Sequence, residues 1–210
     1  MCIRDRIETV KKLKKEKVKN LVDTRIREFK KTGKGSIDEI FGELCFCILT
    51  ANFNAEKTIK IQEEVGEGFL TLREPQLAKK LKKFGYRYPN TRAKYIVDAR
   101  KRKNLLKNIL KKVKDENKLR ECLVKNFRGI GYKEASHFLR NIGYTNVAII
   151  DFHIINILRR YGLIGELKIL TKRKYLEIED MLRKIAEKLN LNLAELDLYL
   201  WYMETGKILK

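Results

Sequence analysis

A lysine placed two residues beyond a Gly-Ile-Gly triplet, with an aspartate further along, is the arrangement in this chain best suited to chemistry. Residues 126–153 read NFRGIGYKEASHFLRNIGYTNVAIIDFH. Gly129, Ile130 and Gly131 make a hairpin between two helical patterns. Glycines let backbone approach a phosphate closely, and the helix that follows aims free N–H groups at the anion. Lys133 falls in the first turn of that helix. Its amine and the carboxylate of Asp151, held beside a clamped phosphate, are the parts for amine chemistry on a sugar. The residues alone leave blander readings open. Lys133 also suits a plain phosphate contact, Asp151 suits an N-cap, and His153 suits packing or the surface. The apolar tract 147–150 reads as a buried lead-in.

The elements that must position these groups are helical. Ser36 and Glu39 form a capping box that opens a helix reaching Thr50. Asn54 caps a second helix that stops near Gly66, and Pro75 sits in the first turn of a third that ends before Gly85. Another begins near Pro89 and runs through Tyr95, Ile96 and Ala99. Asp115 caps the helix entering the hairpin, and Gly143 closes the one leaving it. Asp151 caps the next, which stops at Gly162, and amphipathic stretches cover 171–189 and 193–204. No segment shows sustained strand alternation, so the expected fold class is all-α. The expected organisation is one domain over 1–210, with two helical lobes around a cleft.

Composition narrows the partner. Lys and Arg number 48 against 27 Asp and Glu, a formal net charge of +21 in 210 residues, which asks for a polyanion. A heat-adapted surface would enrich both signs and leave the sum near neutral, so it does not explain the excess. The basic runs 11–19 and 101–114 read as solvated helix faces that add to a DNA-facing field. No apolar run approaches a membrane span and no signal peptide opens the chain, so a cytoplasmic protein is expected. Cys2, Cys45, Cys47 and Cys122 lack zinc spacing and read as reduced thiols. Residues 1–6, MCIRDR, look like translated sequencing adapter and carry no weight.

The hairpin, the lysine and the aspartate together resemble the motif of helix-hairpin-helix DNA glycosylases. The segments ELCFCILTANFNAEKTIKIQ, GIGYKEASHFLRNIG, TKRKYLEIED and DLYLWYMETGKILK bring the resemblance closer, to archaeal-type 8-oxoguanine DNA glycosylase/AP lyases, over about 37–210. The resemblance implies that Lys133 attacks the sugar as a neutral amine and becomes the Schiff-base partner, a state that burial and nearby cations favour. Asp151 then stabilises charge on the sugar and moves protons. Strand cleavage follows by β-elimination with no metal and no cofactor.

The same resemblance assigns the base pocket. Tyr88 and Trp201 are implied as walls that stack the extruded base. Trp201, in a stripe with Leu198 and Tyr202, would otherwise be a core residue. Lys210 is implied to fold into the pocket, its free α-carboxylate reading the base edge. Asn52 matches the position that plugs the duplex, its alternative being an ordinary loop before the Asn54 cap; Phe53 suits the core. His153 matches a phosphate-contacting histidine, and the hairpin residues Gly129, Ile130 and Gly131 hold backbone phosphates. His137 and Arg140, on the Lys133 helix, stay open between a supporting role and packing. Relatives with an iron–sulfur cluster hold it through four closely spaced cysteines, and no cysteine follows Cys122, which excludes that branch on ligand grounds. The expected partner is double-stranded DNA containing 8-oxoguanine, bound by a monomer. A glycosylase for another lesion and a non-catalytic DNA clamp are the competing readings.

Overall fold

Local caps set most of the helix boundaries. The computed structural model describes residues 3–210, with side chains from residue 8 onward, so Cys2 lies outside the described residues. Ser36 accepts from Glu39 N at 3.2 Å while Glu39 Oε2 accepts from Ser36 N at 2.7 Å, closing the expected capping box. Asn54, Asp115, Asp151, Thr171 and Asn192 each cap a helix through the side chain. Each such cap contributes about 1 kcal/mol by satisfying an N–H that the helix cannot.

Thirteen helices result among the described residues, and none of them is a strand partner to anything: the fold is all-α. In order they are α1 (Ile3–Leu13), α2 (Lys17–Gly33), α3 (Ile37–Thr50), α4 (Ala55–Val65), α5 (Gly68–Thr71) and α6 (Glu74–Lys83). Then come α7 (Pro89–Lys101), α8 (Lys103–Lys112), α9 (Glu116–Asn126), α10 (Tyr132–Asn141), α11 (Phe152–Arg160), α12 (Lys172–Lys188) and α13 (Leu193–Thr205). α2 and the short α5 have no side-chain cap to announce them; Glu16 and Glu67, at their N-caps, make no capping bond. The basic run 11–19 is broken between α1 and α2, where Lys14 Nζ donates to Leu189 O at 2.5 Å. No described helix is long and apolar enough to cross a membrane.

Two apolar cores account for the two lobes. The first is built on α3, which is enclosed on all sides: Phe41, Leu44, Phe46 and Ile48 have no exposure, and neither do Cys45 and Cys47. Both thiols are free, and burial pushes them well above their ordinary range, so they serve as packing groups. The second core joins α1 and α2 to α11, α12 and α13 through residues such as Val22, Phe29, Ile157 and Leu198. The chain therefore starts in one lobe, builds the other, and returns. The return crossing falls between Val147, in the first core, and Ala148, in the second. Asp151 comes three residues later. The helix α10 stands at the junction, with Ala135 and Phe138 in the first core and Tyr132 packed against the second.

Candidate active site between the lobes

A cavity of about 890 Å³ opens at this junction. Its lining includes Lys133, His137 and Arg140 from α10, Asp151 and His153 at the start of α11, and Asn52 and Phe53 from the turn between α3 and α4. Asp197 and Trp201 of α13 and the segment with Lys207 and Lys210 close the far side. Chain topology explains the gathering: every one of these positions lies on α10, at a lobe crossing, or on the element facing it.

The hairpin sets α10. Gly129 has φ +81, and a Cβ there would meet the Tyr95 ring at 2.6 Å, so both backbone conformation and space demand glycine. Ile130 is buried and anchors the hairpin in the first core, leaving only its backbone for a phosphate. Gly131 is the N-cap of α10, its N–H donating to Glu134 Oε2 at 3.1 Å. Lys133 is the second residue of α10, and its Nζ stands 3.1 Å from Glu134 Oε1 with a quarter of the side chain exposed. The hairpin itself lies outside the cavity lining, beside the N-terminus of the helix that carries the lysine.

Asp151 is held by what precedes it. The lead-in 147–150 is buried, and its polar backbone is satisfied by side chains rather than by a strand. Ala148 N donates to Glu179 Oε2 at 2.7 Å, the Tyr175 hydroxyl donates to Ala148 O at 2.6 Å, and Ile150 N donates to Tyr175 Oη at 3.3 Å. Glu179 is in turn gripped by Arg120 at 2.6 and 2.9 Å. Asp151 Oδ1 accepts from Ile154 N at 2.9 Å, so it caps α11 and also faces the cavity. The two sequence readings of this residue are compatible.

The electrostatics favour a neutral imidazole beside the lysine. Burial pushes the His137 pKa well below its ordinary value, and the charges of Arg140 and Lys133 push the same way; a hydrogen bond to the backbone of Lys210 opposes them. That shift means His137 packs as an uncharged group at neutral pH. Its Nε2 is sealed from solvent without a partner, and so is Trp201 Nε1. Two residues of the cavity lining therefore each hold a buried polar atom with hydrogen-bonding capacity unspent. Asp197 is pushed up by burial and by the charge of Asp151, while its ion pair with Arg140 pulls it back.

The remaining expected residues divide. Asn52 is exposed and holds φ +58, a left-handed conformation that Asn tolerates better than most residues. Its neighbours fix it there: Arg92 Nη2 donates to Ala51 O at 3.2 Å, Phe53 stacks on Tyr86 at 4.4 Å, and Asn54 caps α4. The turn thus carries the expected Asn54 cap and leaves Asn52 exposed at the cavity. His153 lies between Phe152 and Trp201, with ring centroids at 3.8 and 5.1 Å. Tyr88 is not brought into the cavity. It is the N-cap residue of α7, 48% exposed, beneath the Arg87 guanidinium. The buried aromatic of that turn is Tyr86, whose hydroxyl donates to Leu49 O at 2.6 Å.

Several residues of the site carry no sequence signal. Phe152 stands 64% exposed at the rim, directly after Asp151. Glu134 braces both the hairpin and Lys133. Glu43 and Gln62 lie behind the lining and hold Lys210 Nζ at 2.8 and 2.5 Å. Among the described residues no cluster of His, Cys, Asp or Glu has the makings of a metal site.

Comparison with known proteins shows the family. The chain is 55% identical over 205 residues to the 8-oxoguanine DNA glycosylase/AP lyase of Methanocaldococcus jannaschii, covering 97% of this chain and 99% of that one. It is 50% identical to the enzyme of the same name from Korarchaeum cryptofilum, over the whole of both chains. Its fold superposes on the crystal structure of the M. jannaschii 8-oxoguanine glycosylase/lyase in complex with a 15mer DNA containing 8-oxoguanine. The TM-score is 0.94 at 54% identity, over 97% of this chain and 99% of that one. Residues 22–191 match the family described as 8-oxoguanine DNA glycosylase, and this chain belongs to that family.

Proposed function

We propose that this protein excises 8-oxoguanine from duplex DNA and then cuts the strand as an AP lyase, acting on the cell's DNA in the cytoplasm. The observation that carries the proposal is the meeting of Lys133 and Asp151 at one cavity, with the hairpin at the N-terminus of the helix that carries the lysine. Lys133 Nζ attacks C1′ of the extruded nucleotide, and the C1′–N9 bond breaks with its electron pair leaving on the base. Asp151 stabilises the positive charge that develops on the sugar. Ring opening gives an imine between Nζ and C1′. Loss of a C2′ proton then expels the 3′ phosphate oxygen, and hydrolysis of the imine frees the lysine.

The other roles follow position. Gly129, Ile130 and Gly131 bring the hairpin backbone up to phosphates, and His153 contacts a phosphate at the rim. Asn52, held outward by its left-handed turn, enters the gap that the base leaves. Trp201 forms one wall of the base site, Lys210 lies at its floor, and Tyr88 bears on the base or its neighbours from outside the empty cleft.

Borohydride trapping tests the reading. Duplexes carrying 8-oxoguanine, an oxidised pyrimidine or no lesion are incubated with the protein and reduced. An adduct with the 8-oxoguanine duplex alone, absent in Lys133→Gln, is the expected result. An adduct on the pyrimidine lesion would reassign the substrate, and no adduct on any duplex would leave a DNA clamp. Lys133→Gln should still bind DNA with a steep salt dependence, because the hairpin and the basic surface remain.

A further inference from the structure

The segment after α13 is built into the cavity wall by a socket that the catalytic residues do not share. Gly206, with φ +70, turns the chain back, its N–H donating to Tyr202 O at 2.8 Å. Lys207 pairs with Glu56, and Ile208 O accepts from Arg25 Nη2 at 3.5 Å. Lys210 then inserts its side chain. Its Nζ donates to Glu43 Oε1 at 2.8 Å and to Gln62 Oε1 at 2.5 Å, and lies 4.8 Å from the centroid of the Phe46 ring.

Glu43 is only 8% exposed, and a carboxylate removed from water to that extent requires partners. It has three. Besides Lys210, Gln62 Nε2 donates to Oε1 at 3.1 Å and Asn141 Nδ2 donates to Oε2 at 3.1 Å. Asn141 Oδ1 in turn accepts from Arg140 Nε and Nη2 at 3.2 and 3.0 Å, and Arg140 pairs with Asp197. The charges alternate along this chain, from Asp197 through Arg140 and Glu43 to Lys210. Glu43 and Gln62 do not line the cavity, whereas Lys207, Leu209 and Lys210 do. The socket therefore meets the cavity through the segment it holds and, by way of Asn141, through Arg140.

We propose that Glu43, with Gln62, is a positioning residue for base recognition: it seats Lys210 so that the 207–210 backbone forms a fixed wall of the base site against His137. The inference rests on the base-excision reading of this cavity. A wall set in advance spends no binding energy on ordering itself when a base enters. Strand cleavage at a site that has already lost its base does not need that wall, because Lys133 lies at the opposite end of α10 from Asn141 and Asp151 is held by its cap on α11.

Two measurements on Glu43→Gln test this, with Gln62→Met as the second variant should the first lose thermal stability. Hydrogen exchange of the 206–210 amides in the free protein reads the seat directly. Faster exchange there, with α10 and α11 unchanged, is expected; unchanged protection overturns the socket whatever base the enzyme removes. In the activity assay, excision of 8-oxoguanine should fall at least about tenfold, the scale of a lost charged hydrogen bond, with cleavage at a preformed abasic site within about twofold. Lys210→Met should match Glu43→Gln, and the double variant should be no worse than either, as for two groups of one contact. Equal loss of excision and abasic-site cleavage, or loss of neither, overturns the proposal. Failure of the wild-type protein to excise 8-oxoguanine would instead count against the substrate reading alone, because the exchange result stands apart from it.

Discussion

Arg120 on α9 and Glu179 on α12 form a two-pronged ion pair with side chains only 1% and 3% exposed, and Glu179 carries the grip onward to the backbone of Ala148. Ser136 on the lysine helix joins the same cluster, its Oγ accepting from Arg120 Nη1 at 3.2 Å and lying 3.2 Å from the Tyr175 hydroxyl oxygen. One buried network thus fixes both the helix of Lys133 and the lead-in to Asp151. It sets the separation of Lys133 and Asp151 without touching either.

Breaking one side of that pair leaves an unpaired buried charge. Glu179→Gln or Arg120→Met should cost about 3–5 kcal/mol in urea unfolding. Replacing both residues with apolar ones should cost much less than the sum of the single changes, since no charge is then stranded. Additive losses would mean that the two residues stabilise the fold independently. In the folded single variants, excision should fall as well, because the carboxylate that accepts from Ala148 N is removed or no longer held in place.

Asp151 has two duties that substitution can separate. Asparagine caps a helix about as well as aspartate. Asp151→Asn should therefore keep thermal stability close to wild type while lowering excision by about two to four orders of magnitude, the usual scale of a lost acid–base or charge-stabilising group. Asp151→Ala should lose the same activity and about 1 kcal/mol of stability besides. An active Asn variant would reduce this residue to its capping bond with Ile154.

His137 predicts a pH dependence with a definite sign. Its folded-state pKa is depressed, first by burial and then by Arg140 and Lys133. The unfolded chain titrates near the ordinary value of about 6.5 and so binds the proton that the folded state refuses. Stability should be flat above that value and fall as pH drops below it, by at most about 1.4 kcal/mol per pH unit from this one group. His137→Gln should remove that slope between about pH 5 and 6.5. Urea midpoints across this range check it, and a slope that survives the substitution would assign it to another group.

Sequence carried the parts of this site that act locally. Capping residues announce themselves because their partners lie three residues away, which is why the boundaries near Ser36, Asn54, Asp115 and Asp151 were readable. The Gly129–Lys133–Asp151 spacing was readable for the same reason, as one hairpin and one helix restrict where those groups go. The Arg120–Glu179 pair spans 59 residues and the Glu43–Lys210 pair 167, and nothing in the local pattern of either residue marks a partner at that range. Glu43 reads as one more polar residue in an apolar helix. Tyr88 shows the opposite failure: an aromatic in the right turn leaves open which of Tyr86 and Tyr88 faces inward, and the hydroxyl bond to Leu49 O assigns the buried place to Tyr86.

That pair of tyrosines gives the last prediction, because the sole tryptophan, Trp201, reports on the same cavity. A base stacked on Trp201 should quench its fluorescence, so titration with an 8-oxoguanine duplex should quench where an undamaged duplex does not. Tyr88 is 48% exposed in the free protein and lies outside the cavity lining, so the proposed role requires it to act against bound DNA. Tyr88→Ala should leave the thermal midpoint unchanged and weaken binding of the lesion duplex by about 1–3 kcal/mol, the scale of one lost base–aromatic stack. Tyr86→Phe should behave in the reverse way. Losing the hydrogen bond to Leu49 O should cost about 1 kcal/mol of stability, with smaller effect on binding. Unaltered affinity in Tyr88→Ala, together with normal quenching, would leave Trp201 as the aromatic wall and remove Tyr88 from the base site.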